Sequence, residues 1–292
     1  MSDQYQFGRA LKLILSNADE FLIVENLSMS FSIQKTLLGY PARGRINIRN
    51  LGEANIQKIT KRYTSVDLIG GYVGAEALLF RGNIMNYSKT RLTPTSEFSL
   101  IVKSSTAAWE DSTFSKAYTA GTPAATMIND VANSFEGVIP GSLVTDQNWP
   151  TNLADVTLSG SSRRVMDQLA RDYNFDWNIV EGEVITLPRG QTLQDKPTYV
   201  ITPATGLIGS PVITELGVDF RVLLNPAIML GRQVEMRSKY GQLGQAGIEF
   251  RKVRNTADGF YKVMDIRMTG DTNAIDWYYD LITWGTTNEF RN

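Results

Sequence analysis

The sequence predicts a mainly β protein, α+β overall, in which two antiparallel β regions of barrel or sandwich type flank a smaller α+β piece. Three observations carry that prediction. Residues 27–36 alternate strictly between apolar and polar, short strand-like runs crowd both ends of the chain, and the hydrophobic period changes from 2 to 3.6 between them. At 292 residues the chain is long enough for two or three units. Charge divides it in the same places. Residues 1–104 carry 13 basic and 8 acidic groups, 105–207 carry 6 and 12, and 208–292 carry 10 of each. We therefore read three units: 1–104, 105–207 and 208–292.

In 27–36, Leu27, Met29, Phe31 and Ile33 point one way while Ser28, Ser30, Ser32 and Gln34 point the other, the pattern of a strand with one buried and one wet face. RINIRNL, VDLIGGYV, ALLFRGNIMNY and FSLIVKS follow at short intervals, with one helix at 53–61 turning Ile56 and Ile59 inward. The polar stretch 104–123 shows little hydrophobic period and reads as a linker. Thr122-Pro123 then reads as a helix start, threonine capping and proline in the first turn. Ile128, Val131, Ala132 and Phe135 make an i, i+3, i+4, i+7 stripe. A second helix starts near Ser161 and turns Val165, Met166, Leu169 and Tyr173 inward. It leads into a hairpin over 175–187 around Glu181-Gly182, with Phe175, Trp177 and Ile179 alternating. The last third returns to strands: VDFRVLL, QVEMR, IEFRKV and YKVMDIRM, with Asp258-Gly259 as a hairpin turn signal.

The chain has no cysteine and no histidine. That removes disulfides, thiolate nucleophiles, Ser-His-Asp triads and His- or Cys-ligated metals. No apolar run approaches the ~18 residues of a membrane span. The opening residues read as mature chain, because Lys12 interrupts their apolar stretch and no small-residue cleavage site follows. No catalytic residue, cofactor site or metal site is expected.

The remaining candidate sites have plain alternatives. The three glycines of IGGYVGA (69–75) have the wrong spacing for a dinucleotide fingerprint and mark bends or a bulge in a β-ribbon. Glu181 and Glu183 form the one carboxylate pair that glycosidase chemistry would want, but flanking a turn glycine they read as solvated turn charges. Asp271, Asn273 and Asp276 lack the calcium-loop order and read as a polar turn. Trp277, Tyr278 and Tyr279 read as core or edge packing before a sugar platform. Arg43, Arg45 and Arg49 cluster at period 2 on one strand face. A solvated face is the commoner role of such a cluster; contact with nucleic acid or an acidic partner is the sharper one, and for Arg43 and Arg45 a partner chain is expected. The net charge of −1 gives no general pull toward phosphates.

Three ordered stretches go further. The K-x-x-x-G-x-P turn, short strand and Asn-Leu of 35–51, the Gly-Tyr and apolar-Phe-x-Gly-x-Ile ribbon of 66–84, and the Gly-x-Tyr-x-Val, Gly-Asp-Thr and Asp-Trp-Tyr of 259–281 together resemble the baseplate hub proteins of contractile-tailed bacteriophages. The resemblance implies a structural role, with no enzymatic activity and no cofactor. Two tail-tube-like β domains per chain would let a homotrimer meet a hexameric tail tube on one side and a trimeric spike on the other. It implies as partners the tail-tube protein, a separate central spike, and the tape-measure and other baseplate proteins. DNA would pass through without specific binding. The implied location is the virion tail baseplate, assembled in the host cytoplasm. A carbohydrate-binding or carboxylate-based glycosidase β-protein is the alternative.

Overall fold

The computed structural model describes residues 8–92, 94–143, 149–193, 197–238, 241–243 and 257–286. The first region holds β1 (Arg9–Ser16), β2 (Phe21–Val24), β3 (Met29–Thr36), β4 (Arg43–Arg49), α1 (Glu53–Arg62), β5 (Ser65–Tyr72), β6 (Ala77–Leu92) and β7 (Thr95–Lys103). The alternation of 27–36 is the reason β3 forms where it does: Met29, Phe31 and Ile33 are buried and Ser32 is exposed. α1 seats Ile56 and Ile59 in the same core, as their spacing predicts. The glycines of 69–75 lie at the end of β5 and in the turn to β6, beside a bulge at Leu68/Ile69.

The middle region holds α2 (Thr106–Glu110), β8 (Thr113–Tyr118), α3 (Ala124–Asn133), β9 (Ile139–Leu143), β10 (Val156–Ser161), α4 (Ser162–Asp172), β11 (Phe175–Val180) and β12 (Glu183–Pro188). The stretch 104–123 is therefore no linker. It supplies α2 and β8, and β8 pairs with β10. Its polarity comes from a two-stranded ribbon wet on one side. Nor does Thr122 cap α3. Pro123 occupies the N-cap position with no side-chain bond, and the Thr122 hydroxyl turns back to the Thr119 carbonyl. At α4 the expectation holds, since Ser161 Oγ accepts from Arg164 N at 3.4 Å. β11 and β12 form the predicted hairpin, and Glu181 (φ +55°) and Gly182 (φ +92°) make its tip.

The last region holds β13 (Tyr199–Ile201), β14 (Leu207–Ile213), β15 (Gly217–Leu223), β16 (Gln233–Met236), β17 (Gln242–Leu243), β18 (Gly259–Asp271) and β19 (Trp277–Gly285). The strand expected at 248–253 lies outside the described residues, and so do residues 1–7. Gly259 opens β18 opposite Met236.

The two β regions share one sheet. Its order is β17-β14-β15-β19-β18-β3-β4-β7-β6-β5-β1-β2, with β13 and β16 attached through β18, and the junction is the antiparallel pair β18–β3. Among the described residues the hydrogen bonding does not close a barrel, because β2 and β17 end the path. One apolar core runs beneath both regions, from Leu13 and Phe80 to Val222 and Trp277. α3, α4 and the β11–β12 hairpin enclose a second core around Ile128, Val165 and Trp177. Gly270 is needed at the junction: a Cβ there would stand 2.4 Å from the Phe31 ring. Among the described residues no helix is long and apolar enough to cross a membrane.

Candidate functional site

With one face of the large sheet on the core, the other is left to water or to partners. Cross-strand register places Arg267 of β18, Gln34 of β3 and Arg43 of β4 in one row of that outer face, and Thr269, Ser32 and Arg45 in the next. Arg43, Arg45 and Arg267 are all exposed. They border a shallow depression of about 500 Å³. Neither Arg43 nor Arg45 has an acidic partner among the described residues. The third arginine of the cluster behaves differently. Arg49 donates to Asp271 Oδ2 at 3.0 Å and to Ser28 Oγ at 3.0 Å, and lies 4.0 Å from Glu97. It is a clamp within the fold, so the local cluster splits into two free cations and one structural one.

The 271–276 loop is held by arginines. Asp271 Oδ1 accepts from Asn273 N at 2.8 Å and Ala274 N at 3.1 Å, an Asx turn. The Arg9 guanidinium donates to the carbonyls of Asp271 and Ile275, both at 2.9 Å, and to that of Ala274. Arg9 and Arg49 thus occupy three carbonyl oxygens of the loop and one carboxylate oxygen of Asp271. The aromatic cluster divides by strand parity. Trp277 and Tyr279 are buried, Trp277 edge-on to Phe31 at 5.8 Å, while Tyr278 lies on the outer face beneath Arg221, 3.9 Å from its ring centre. One half-covered ring makes no sugar platform.

The carboxylate pair also separates. Glu183 is exposed, but Glu181 pairs with Lys35 Nζ at 2.8 Å, so the solvated-charge reading is wrong for Glu181. Lys35 lies in phase with Met29, Phe31 and Ile33, on the inward side of β3, and reaches the hairpin tip of the middle region. Four residues along β18 from the partner of Lys35, Lys262 Nζ, almost fully buried, bonds Asp176 Oδ2 at 2.8 Å, and Arg189 stands 3.5 Å from the other carboxylate oxygen. Burial pushes the Lys262 ammonium below its ordinary pKa, against the pull of Asp176. Asn178 Nδ2 donates to the carbonyls of Tyr40, at 2.9 Å, and Thr36. These polar groups fasten the middle region to β3 and β18. Phase alone could have flagged Lys35; Asp176, Asn178 and Lys262 carry no such signal, because burial of both faces of a strand is a tertiary fact. Among the described residues no group of three or more acidic side chains could hold a metal ion.

A family model described as baseplate hub gp41 matches residues 11–242. The fold resembles a 43 kDa tail protein of prophage MuSo2 from Shewanella oneidensis at 9% identity and TM-score 0.59, over 94% of this chain and 96% of that one. It resembles a tail protein from Neisseria meningitidis at 10% identity and TM-score 0.58, over 95% and 97%. A third neighbour, at 8% identity and TM-score 0.56 over 89% and 74%, is the E. coli c3393 protein, a component of the type VI secretion system. No curated protein matches the chain in sequence.

Proposed function

The chain belongs to the baseplate hub gp41 family, and from that membership we propose that it joins the hexameric tail tube to the trimeric central spike around the DNA channel. It acts as a homotrimeric ring, in which two β regions per chain supply six similar positions. The observation that carries the reading is the β18–β3 junction, which sets two β regions side by side in one sheet whose hydrogen-bonding path, among the described residues, has two ends, β2 and β17. Open edges of that kind are completed when like chains close head to tail into a ring. The tail-tube protein, a separate spike chain and, around them, the tape-measure and other baseplate proteins are its partners. Assembly takes place in the host cytoplasm, and the units are 1–104, 105–207 and 208–292. Its role is structural. Of the Glu181–Glu183 pair, Glu181 is held by Lys35, which supports the absence of hydrolysis; robust cleavage of peptidoglycan by the purified protein would contradict it. Imaging of the intact tail tip tests the main claim. Three copies around the axial channel are expected, and a twofold or sixfold arrangement, or a position off the axis, would overturn it.

A further inference from the structure

We propose that the outer face of β18, β3 and β4 is a phosphate-contacting surface, on which Arg43, Arg45 and Arg267 meet the backbone of a nucleic-acid strand. The claim rests on the hub reading for the identity of the polyanion, because that reading sends DNA past the chain. The face itself supplies the chemistry.

Arg43 and Arg45 are two residues apart on one strand, about 7 Å, and Arg267 stands two strands away, about 10 Å. The acids around them are committed elsewhere. Asp280 is held by Nε and Nη2 of Arg221 at 2.7 and 3.2 Å, and Glu110 by Lys103. Asp265 is the exception: half-buried, it accepts from Gln34 Nε2 at 3.1 Å and also feels the charge of Arg267, so it offsets part of that arginine's field, while Arg43 and Arg45 have no acidic partner among the described residues. Local charge is therefore positive although the chain as a whole carries −1.

The ground between the arginines decides the class of ligand. Ser30, Ser32, Gln34 and Thr269 lie there in register, small hydroxyl and amide groups with no exposed large apolar side chain among them. Protein interfaces are anchored by buried aromatic and apolar side chains, and here the apolar surface is confined to the rim, to the partly buried Ile101 and, one strand further, Tyr278 and Ile282. Phosphate oxygens are bound by arginine, serine, threonine, asparagine and glutamine without regard to sequence, which is what this face presents. Such contacts are salt-dependent and reversible, so a strand can slide over them.

The test is binding of a short fluorescent DNA duplex to the purified full-length protein at a series of salt concentrations. The Arg43→Gln/Arg45→Gln variant is expected to bind roughly tenfold more weakly at low salt, with the slope of log affinity against log salt smaller by about 2. Lys58→Gln/Lys61→Gln removes the same charge from exposed positions on α1 and should change neither. Equal losses in both variants, no loss in the first, no duplex binding at low salt, or tighter binding of polyglutamate than of duplex would each overturn the proposal, the last in favour of an acidic protein partner. The hub reading fails separately. A tail-tip image without a threefold ring on the axis sinks that reading and leaves the binding measurement standing, whereas a threefold ring with arginine-independent binding sinks only the phosphate face.

Discussion

Lys262 and Asp176 show how much a single residue's consequence depends on its partner. Both are almost fully buried, 2.8 Å apart. Losing one leaves an uncompensated charge in the interior, whereas replacing both by apolar groups removes the desolvation cost together with the attraction. Asp176→Ala is expected to cost about 3 kcal/mol in chemical denaturation, and adding Lys262→Met should recover most of it; a double variant no better than the single one would contradict this. Asp219 is the opposite case. Its Oδ1 is buried without a hydrogen bond, and burial pushes its carboxyl above the usual range. Ionising it in the folded protein therefore costs stability. That cost is absent below the unfolded value of about 3.9 and grows as pH rises through it toward the folded value. Asp219→Asn should raise the melting temperature at pH about 7 by about 2 °C, with the gain shrinking toward pH about 4. A gain that is the same at both pH values would show that charge is not the cause.

At the scale of elements, two glycines do different work. Gly182 sits at φ +92° in the β11–β12 tip with open space around the position of a Cβ, so Gly182→Ala meets only backbone strain, about 1 kcal/mol. Gly270 is limited by packing instead. A Cβ there meets the Phe31 ring and Trp277, and Gly270→Ala should cost about 1–3 kcal/mol by overpacking at the β18–β3 junction. Denaturation midpoints of the two variants check the order. The elements themselves were largely legible: α1, α4, β3 and the β11–β12 hairpin follow from period, cap and turn residues. The 104–123 stretch was not, because a five-residue helix and an exposed ribbon strand bury too few side chains to write a period into the sequence.

For the whole molecule, the distribution of cores predicts how it opens. The first and last regions share one core across β18–β3, while the middle region has its own. Hydrogen exchange on the full chain is expected to show β3 and β18 opening together, with α3 and α4 opening in a separate and less costly event. Separate protection of β3 and β18 would refute the shared unit. Limited proteolysis should cut first in the exposed turn at 119–121 and not within β3 or α4.

The sequence by itself determined the β, α+β, β order, the absence of histidine and cysteine chemistry, the placement of Arg43 and Arg45 on one wet strand face, and the resemblance to the hub family. Each of these depends on local spacing or composition, which neighbouring residues carry in full. Only the tertiary structure decided that the two β regions form one sheet, that Arg49 is a clamp while Arg43 and Arg45 stay free, and that Arg267 joins them from more than 200 residues away. The physical reason is that strand pairing is made by backbone groups every residue possesses. Which strand meets which, and which charges are thereby neutralised, is settled by packing between segments distant in the chain, and no local pattern records it.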